Sequence, residues 1–417
     1  MRSILINGEV SYNANAQILN SDTFKSIVSE IIEDSVEKNN SLVPLFSLFL
    51  KNTDSVDPTV RYDINAIIQL LLSLTINPIE SVDGSPYYSF PKLGNKKELL
   101  LKFVETTFNY WRQKHRFILK NDKFTPDRFD RIFKQMVLVK TNSDLKSLVI
   151  SMYRQILINI SDTRLKILRQ LPSGAQAGFL LDNPHVKDNV KLPSEWLYEL
   201  NYVWSIFFEP PVIFYTKSNK RKGVFKVVYK PVLEKIKLDN PENWFAFPIH
   251  VSKKYILVIV HKELLCHASG LGNLFELTSF DTVENKKPDG IYIFGLDDKH
   301  FENPEEDSNG IIYKENDGTY VGLCGNHKSV DYFGYMKKMI LTIHNLLVID
   351  ENRLPIHGAL AEIKLLNGKK ANVMIMGDSG AGKSETLDAL NRLNEYVSEV
   401  NILIDDMGSL DIQEDGT

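Results

Sequence analysis

The stretch Val373-Met374-Ile375-Met376-Gly377-Asp378-Ser379-Gly380-Ala381-Gly382-Lys383-Ser384-Glu385-Thr386-Leu387 decides how the C-terminal part of the chain is read. Its apolar start, Val373 to Met376, predicts a buried parallel strand. A glycine-rich turn from Gly377 to Gly382 then delivers the chain into Lys383-Ser384, and Leu387, Leu390 and Leu393 recur at helical spacing. Strand, glycine turn and helix are the context that a Gly-x-x-x-x-Gly-Lys-Ser phosphate loop requires. Glycines let successive backbone N–H groups turn inward on a phosphate, and the helix N-terminus adds partial positive charge. The expected nucleotide contacts are Gly377, Asp378, Ser379, Gly380, Ala381, Gly382, Lys383, Ser384 and Glu385. Lys383 is expected on the β- and γ-phosphates, and the Ser384 hydroxyl on the metal.

Working outward, a second apolar run, Val400-Asn401-Ile402-Leu403-Ile404, predicts another buried strand, ending in Asp405-Asp406. Acids at a strand end behind a phosphate loop are where a carboxylate that holds the nucleotide's metal belongs. Before the loop, Arg353–Leu366 leads through His357-Gly358 into a strand, Asn367-Gly368 makes a hairpin turn, and Tyr332–Leu347 is helical, with Met336, Met339, Ile340, Ile343 and Leu347 on one face. Two strands and one helix do not close an α/β nucleotide domain, so more sheet is expected beyond Thr417 or from another chain.

The 417 residues suffice for two or three domains. Lys plus Arg number 49 and Asp plus Glu 53, a near balance that argues against nonspecific nucleic-acid binding. Cys266 and Cys324 are too few for a disulfide framework or a four-thiolate zinc site and suit a reducing cytoplasm, both buried. No apolar run reaches the length that spans a membrane, and the N-terminus lacks a signal-peptide pattern.

Residues 1–205 read as mainly α-helical, after a short strand or hairpin at Ser3–Val10. Ser21-Asp22-Thr23 caps Phe24–Val36, and helices follow at Ile64–Leu74, Lys97–Phe117, Arg128–Val139 and Leu145–Ile160. Leu171–Ser194 reads as a loop and Trp196–Phe207 as a last helical piece. Residues 206–325 read as a mixed, β-rich domain with strands at Val212–Tyr215, Val224–Tyr229, Tyr255–Val260 and Gly290–Phe294, and with Lys299–Gly310 as an acidic surface loop. The turn Thr216–Gly223 carries Lys217, Lys220, Arg221 and Lys222, either as a solvated hairpin tip or as an anion-binding loop. Residues 326–417 are the third domain. The fold class expected is α+β or α/β, with a C-terminal nucleotide-binding core.

Taken in order, Tyr332-Phe333-Gly334-Tyr335-Met336-Lys337-Lys338, Asn345-Leu346-Leu347, His357, the phosphate loop and Asp405-Asp406 resemble phosphoenolpyruvate carboxykinase of the ATP-using type. The spacing of 19 from Lys338 to His357 agrees with that family's pattern. The resemblance covers Tyr332 to Asp406, and the same His-Gly, loop and Asp-Asp elements also resemble HPr kinase/phosphorylase, which shares the nucleotide core. The resemblance implies Lys338, His357 and Asp406 as ligands to Mn²⁺, with Ser384 and the Asp405–Asp406 pair serving Mg²⁺ and ATP. It places Tyr332 beside the substrate's carboxylate or CO₂, and Lys338, Lys383, Asp406 and Tyr332 as the catalytic set. The reaction implied is oxaloacetate plus ATP giving phosphoenolpyruvate, ADP and CO₂. The chain departs from the family at His357-Gly358-Ala359-Leu360 and at Asp405-Asp406-Met407-Gly408, and it lacks the family's early arginine-bearing substrate segment. Two alternatives stand beside this reading: a protein kinase/phosphorylase whose phospho-acceptor is a protein, and a non-catalytic module that senses ATP.

Overall fold

The computed structural model describes residues 2–8, 14–53, 55, 57–83, 85–87, 90–121, 128–161, 171–182, 186, 189–210, 212–217, 224–278, 280–377, 381–393, 395–405 and 407–411. Helices and a large mixed sheet build an α/β architecture in two compact units, Met1–His185 with Val203–Tyr215, and Val186–Tyr202 with Thr216–Thr417. No helix among the described residues is long and apolar enough to cross a membrane.

In the first unit, helices Asp22–Glu37, Ile64–Leu74, Lys97–Gln113 and Arg128–Ile160 surround one apolar core that includes Ile27, Leu74, Phe103 and Ile156. Ser21 caps the first as expected, its hydroxyl accepting from the Phe24 N–H at 3.2 Å. Two expected helices merge into Arg128–Ile160, because Asn142 does not turn its side chain on its own backbone. It bonds the N–H and the carbonyl of Ala175 instead, at 2.8 and 3.3 Å.

Three expectations fail here for a shared reason. The helix expected to Phe117 stops at Gln113, and β2 (His115–Asn121) follows. The short strand or hairpin expected at the N-terminus is a strand, β1 (Ser3–Asn7), parallel to β2. The expected loop contains β3 (Ala177–Leu181), parallel to β2, and the expected helix at 196–207 is a short 3₁₀ turn, Glu195–Glu199, followed by β4 (Asn201–Phe208). β3 is buried along its whole length and β2 over His115–Ile118, and a buried apolar stretch as short as Phe117–Leu119 or Phe179–Leu181 shows no alternation that separates strand from helix or loop. What stops the helix is Arg116. Its guanidinium is buried and donates to the carbonyls of Trp111, Arg112, Lys114 and Gly174, so it satisfies carbonyls at the helix end beyond the C-cap residue Lys114.

The second unit holds β5 (Lys226–Val228), β6 (Trp244–Val251), β7 (Lys254–His261), β8 (Glu276–Leu277), β9 (Gly290–Leu296), β10 (Ile311–Lys314) and β11 (Tyr320–Gly325). They pair in the order β6-β7-β9-β11-β10-β5, with β8 on β6 and with Asn201 and Tyr202 of β4 beside β6. Val212–Tyr215 forms no strand, and the acidic segment folds as a 3₁₀ turn and a helix, Pro304–Asp307, that buries Asp307. Cys266 and Cys324 are buried and unpaired by disulfide, and burial pushes the Cys324 thiol up to about 12. Helix Phe333–Asp350 packs on β9 and β11 through the predicted face. A Cβ on Gly290 would come 2.6 Å from Ile343 Cγ2, so this close seat needs glycine.

The chain then forms β12 (Leu354–Leu365), β13 (Lys370–Met376), helix Lys383–Asn391, β14 (Val397–Ile404) and β15 (Met407–Leu410). The sheet order is β13-β12-β14, with β15 on the first residues of β12. The buried parallel strand expected at 373–376 is thus antiparallel to its neighbour and only partly covered, with Met376 69% exposed. The second expected buried strand also shows an open face, Ile402 at 49% and Leu403 at 58%. Both flank β12, and the helix covers one face of the three strands.

Candidate functional site

Register places the candidate residues. β12 runs antiparallel to both β13 and β14, pairing Gly358 with Met376 and Leu360 with Ile404. The outer two therefore run the same way and finish at the same end of the sheet. Gly377 leaves β13 there, Asp405 leaves β14 there, and His357 sits one residue before Gly358 on the strand between them. Helix 383–391 is seated by Leu387, which is 2% exposed and packs on Ala359 and Ala361 of β12, with Ile375, Leu390 and Val400 around it. Small residues on β12 let the helix approach closely. Gly382, at φ 81, makes the left-handed corner that turns the chain into it.

Two polar contacts tie the turn to the strand ends. Lys383 is 7% exposed. Its Nζ donates to the Gly377 carbonyl at 2.9 Å and lies 3.4 Å from His357 Nε2, so the ammonium folds back over the turn. The Ser384 hydroxyl donates to Asp405 Oδ1 at 3.0 Å. The first turn of the helix is fixed from below, since both the N–H and the hydroxyl of Thr386 reach the Gly382 carbonyl, at 2.9 and 2.7 Å. N–H groups in a first helical turn lack intrahelical partners and carry the positive end of the helix dipole. Ala381, Ser384 and Glu385 are exposed around that end. The result is a buried ammonium and a helix N-terminus next to a hydroxyl–carboxylate pair, a set of groups that can hold a phosphate chain and a hard divalent ion.

The structure thus brings Gly377, Gly382, Lys383, Ser384, His357 and Asp405 together. Asp378, Ser379, Gly380 and Asp406 lie outside the described residues, as do residues 218–223 of the basic turn. That turn begins at Lys217, whose N–H is bound at 3.0 Å by Asp331, a buried carboxylate also 2.9 Å from His267 Nε2. Next in sequence, Tyr332 holds the N-cap position of helix 333–350, its ring folded over Gly334. The Lys338 ammonium sits 5.7 Å from the centre of the Phe225 ring. Among the described residues no three His, Cys, Asp or Glu side chains cluster to hold a metal. The ligand set implied by the resemblance contains a lysine and Asp406, which such a grouping does not include.

One polar residue near this site carries no signal in the sequence. His344, on helix 333–350, shares the wall of a cavity with Asp405 and with Lys337 of the Tyr332–Lys338 motif. It is itself buried among the apolar residues of that helix, so periodicity does not set it apart.

A scan against protein-family models gives no match for this chain, and a search of curated proteins gives none either.

Proposed function

We propose that the chain is an ATP- and divalent-metal-dependent phosphotransfer enzyme, with its nucleotide at the Gly377–Ser384 turn. The observation that carries this reading is the Ser384–Asp405 bond next to a buried Lys383 whose ammonium folds onto the Gly377 carbonyl. A hydroxyl and a carboxylate are the hard oxygen donors Mg²⁺ selects. Ser384 and Asp405 would hold that ion, which neutralises charge on the transferring phosphoryl group. Phosphate oxygens are stronger acceptors than the Gly377 carbonyl that Lys383 meets here, so an arriving phosphate chain would draw the ammonium toward it. Its departure would also uncover His357 Nε2, 3.4 Å away. An imidazole so uncovered suits Mn²⁺, with Lys338 and Asp406 as its partners in the resemblance. Lysine binds a metal only as the neutral amine, which requires its ammonium to lose a proton.

On the acceptor, the resemblance at Tyr332–Lys338 favours oxaloacetate, with phosphoenolpyruvate, ADP and CO₂ as products. Titration of the protein with ATP, with and without Mg²⁺, tests the nucleotide site, with Lys383→Ala as the blank. Product assay with oxaloacetate and Mn²⁺ tests the acceptor. Turnover of ATP that ignores oxaloacetate sinks the carboxykinase reading and leaves the phosphotransfer core standing. Tight ATP binding without any turnover sinks both.

A further inference from the structure

Helix 128–160 carries apolar side chains on two opposite faces. Leu138, Leu145, Val149, Met152 and Ile156 recur at helical spacing and are buried in the core of the first unit. Phe129, Ile132, Phe133, Met136 and Val139 recur at the same kind of spacing on the other side of the first three turns, and all five are exposed. The helix therefore reaches its core without this stripe.

The size of the stripe points to an interface. Phe129 is 83% exposed and Phe133 64%. At about 200 Å² for each aromatic side chain, those two alone show about 300 Å² of apolar surface, the range in which a contiguous patch marks a binding surface. With Ile132, Met136 and Val139 the stripe offers about 500 Å², and two copies of it would cover about 1,000 Å² together, the lower end for specific interfaces.

Charge at the border selects the partner. Asp130 lies beside the start of the stripe, paired with Lys134 at 2.6 Å, and Lys140 lies exposed at its end. A second helix of the same sequence laid antiparallel brings each Asp130 to within one residue of the partner's Lys140, with Phe133 against the partner's Met136. A carboxylate accepts from more than one donor, so Asp130 can keep Lys134 while it meets that lysine. A parallel pair would set like charges opposite each other, and an anionic lipid surface would repel Asp130 and the exposed Asp144.

We propose that Phe129–Val139 is the contact surface of a homodimer, in which two copies of the helix pack antiparallel about a two-fold axis at the level of Lys134 and Gln135. The two copies present the same residues to each other, so the interface closes and does not extend into a filament.

Sedimentation velocity of the full chain tests this. The wild-type chain is expected to pass from monomer to dimer across the micromolar range, as a small interface does. Phe133→Asp buries a charge in the contact and should raise the dissociation constant about tenfold or more. Lys140→Glu sets two acids together and should weaken the dimer several-fold, as should added salt. Ile158→Asp, at an exposed position of the same helix outside the stripe, should leave the dimer unchanged. Circular dichroism checks that each variant folds, and Met136→Asp replaces Phe133→Asp if the latter does not. A wild-type chain that stays monomeric throughout that range, a dimer that the folded stripe variant leaves intact, or one that ignores both Lys140→Glu and salt overturns the proposal. So does a monomer that binds phosphatidylserine vesicles through the stripe.

Discussion

The Ser384 hydroxyl donates to Asp405 Oδ1 across 3.0 Å, joining the first turn of helix 383–391 to the end of β14. The two residues are 21 apart in sequence and meet because β13 and β14 flank the same strand and finish at the same end. Asp405→Asn keeps an acceptor for the hydroxyl and removes the charge. It should fold normally and lose the Mg²⁺-dependent part of ATP affinity, about tenfold or more. Calorimetry in Mg²⁺ and in EDTA separates the two components, and an unchanged Mg²⁺ dependence would remove Asp405 from the metal site.

Lys383→Met should weaken ATP binding by about ten- to a hundredfold, the worth of a charge-assisted hydrogen bond. Thermal stability should change little, because the Gly377 carbonyl that the ammonium meets lies at the turn, where solvent can reach it once the side chain is gone. A large fall in melting temperature with intact ATP affinity would make Lys383 a structural residue.

Arg116→Met removes a buried guanidinium that satisfies four carbonyls, those of Trp111, Arg112, Lys114 and Gly174. The cost expected is about 3 kcal/mol or more, since buried acceptors lose their partners. Arg116→Lys should recover little, as one ammonium does not span the four positions. Urea denaturation of the two variants measures this, and a wild-type midpoint in either would show the helix end to be capped by other means.

Acid sensitivity follows from His261. Burial, with the Lys262 cation second, lowers its imidazole from an ordinary 6.5 to about 4. As pH falls through 6.5 the unfolded chain takes up a proton that the folded chain refuses, so stability declines across the window from 6.5 to about 4. The neutral ring is needed, because its Nδ1 accepts from the Glu263 N–H. His261→Asn retains an acceptor and should flatten the decline. Denaturation midpoints across that window check it, and an unchanged slope would assign the decline to other groups, His344 among them.

The phosphate turn was legible because its chemistry is local. Glycine, lysine and serine at fixed spacing before a helical leucine pattern need no knowledge of the rest of the chain, and helix 333–350 showed its buried face in the same way. The partnership of Ser384 with Asp405 was half legible, as an acid pair at a strand end. Strand environment was not legible. Val373–Met376 and Val400–Ile404 are apolar enough for the middle of a parallel sheet, yet they lie on either side of β12 with their outer faces partly open. Burial there depends on what pairs next, which composition does not encode. β2 and β3 are illegible for the converse reason: their apolar stretches, Phe117–Leu119 and Phe179–Leu181, are too short to show a period of their own. The continuity of helix 128–160 is equally illegible, since Asn142 within it is engaged by Ala175, 33 positions away.

β12 has one more consequence. One strand, through a ladder of backbone bonds on each edge, anchors both the arm that carries the glycine turn and the arm that ends in Asp405. Separating either arm from the middle strand loosens the seat of Leu387 on Ala359 and Ala361, and with it the other arm. Amide protons along both arms should therefore exchange with deuterium together, at one shared rate of opening, and a bound ligand that slows one arm should slow its counterpart by the same factor.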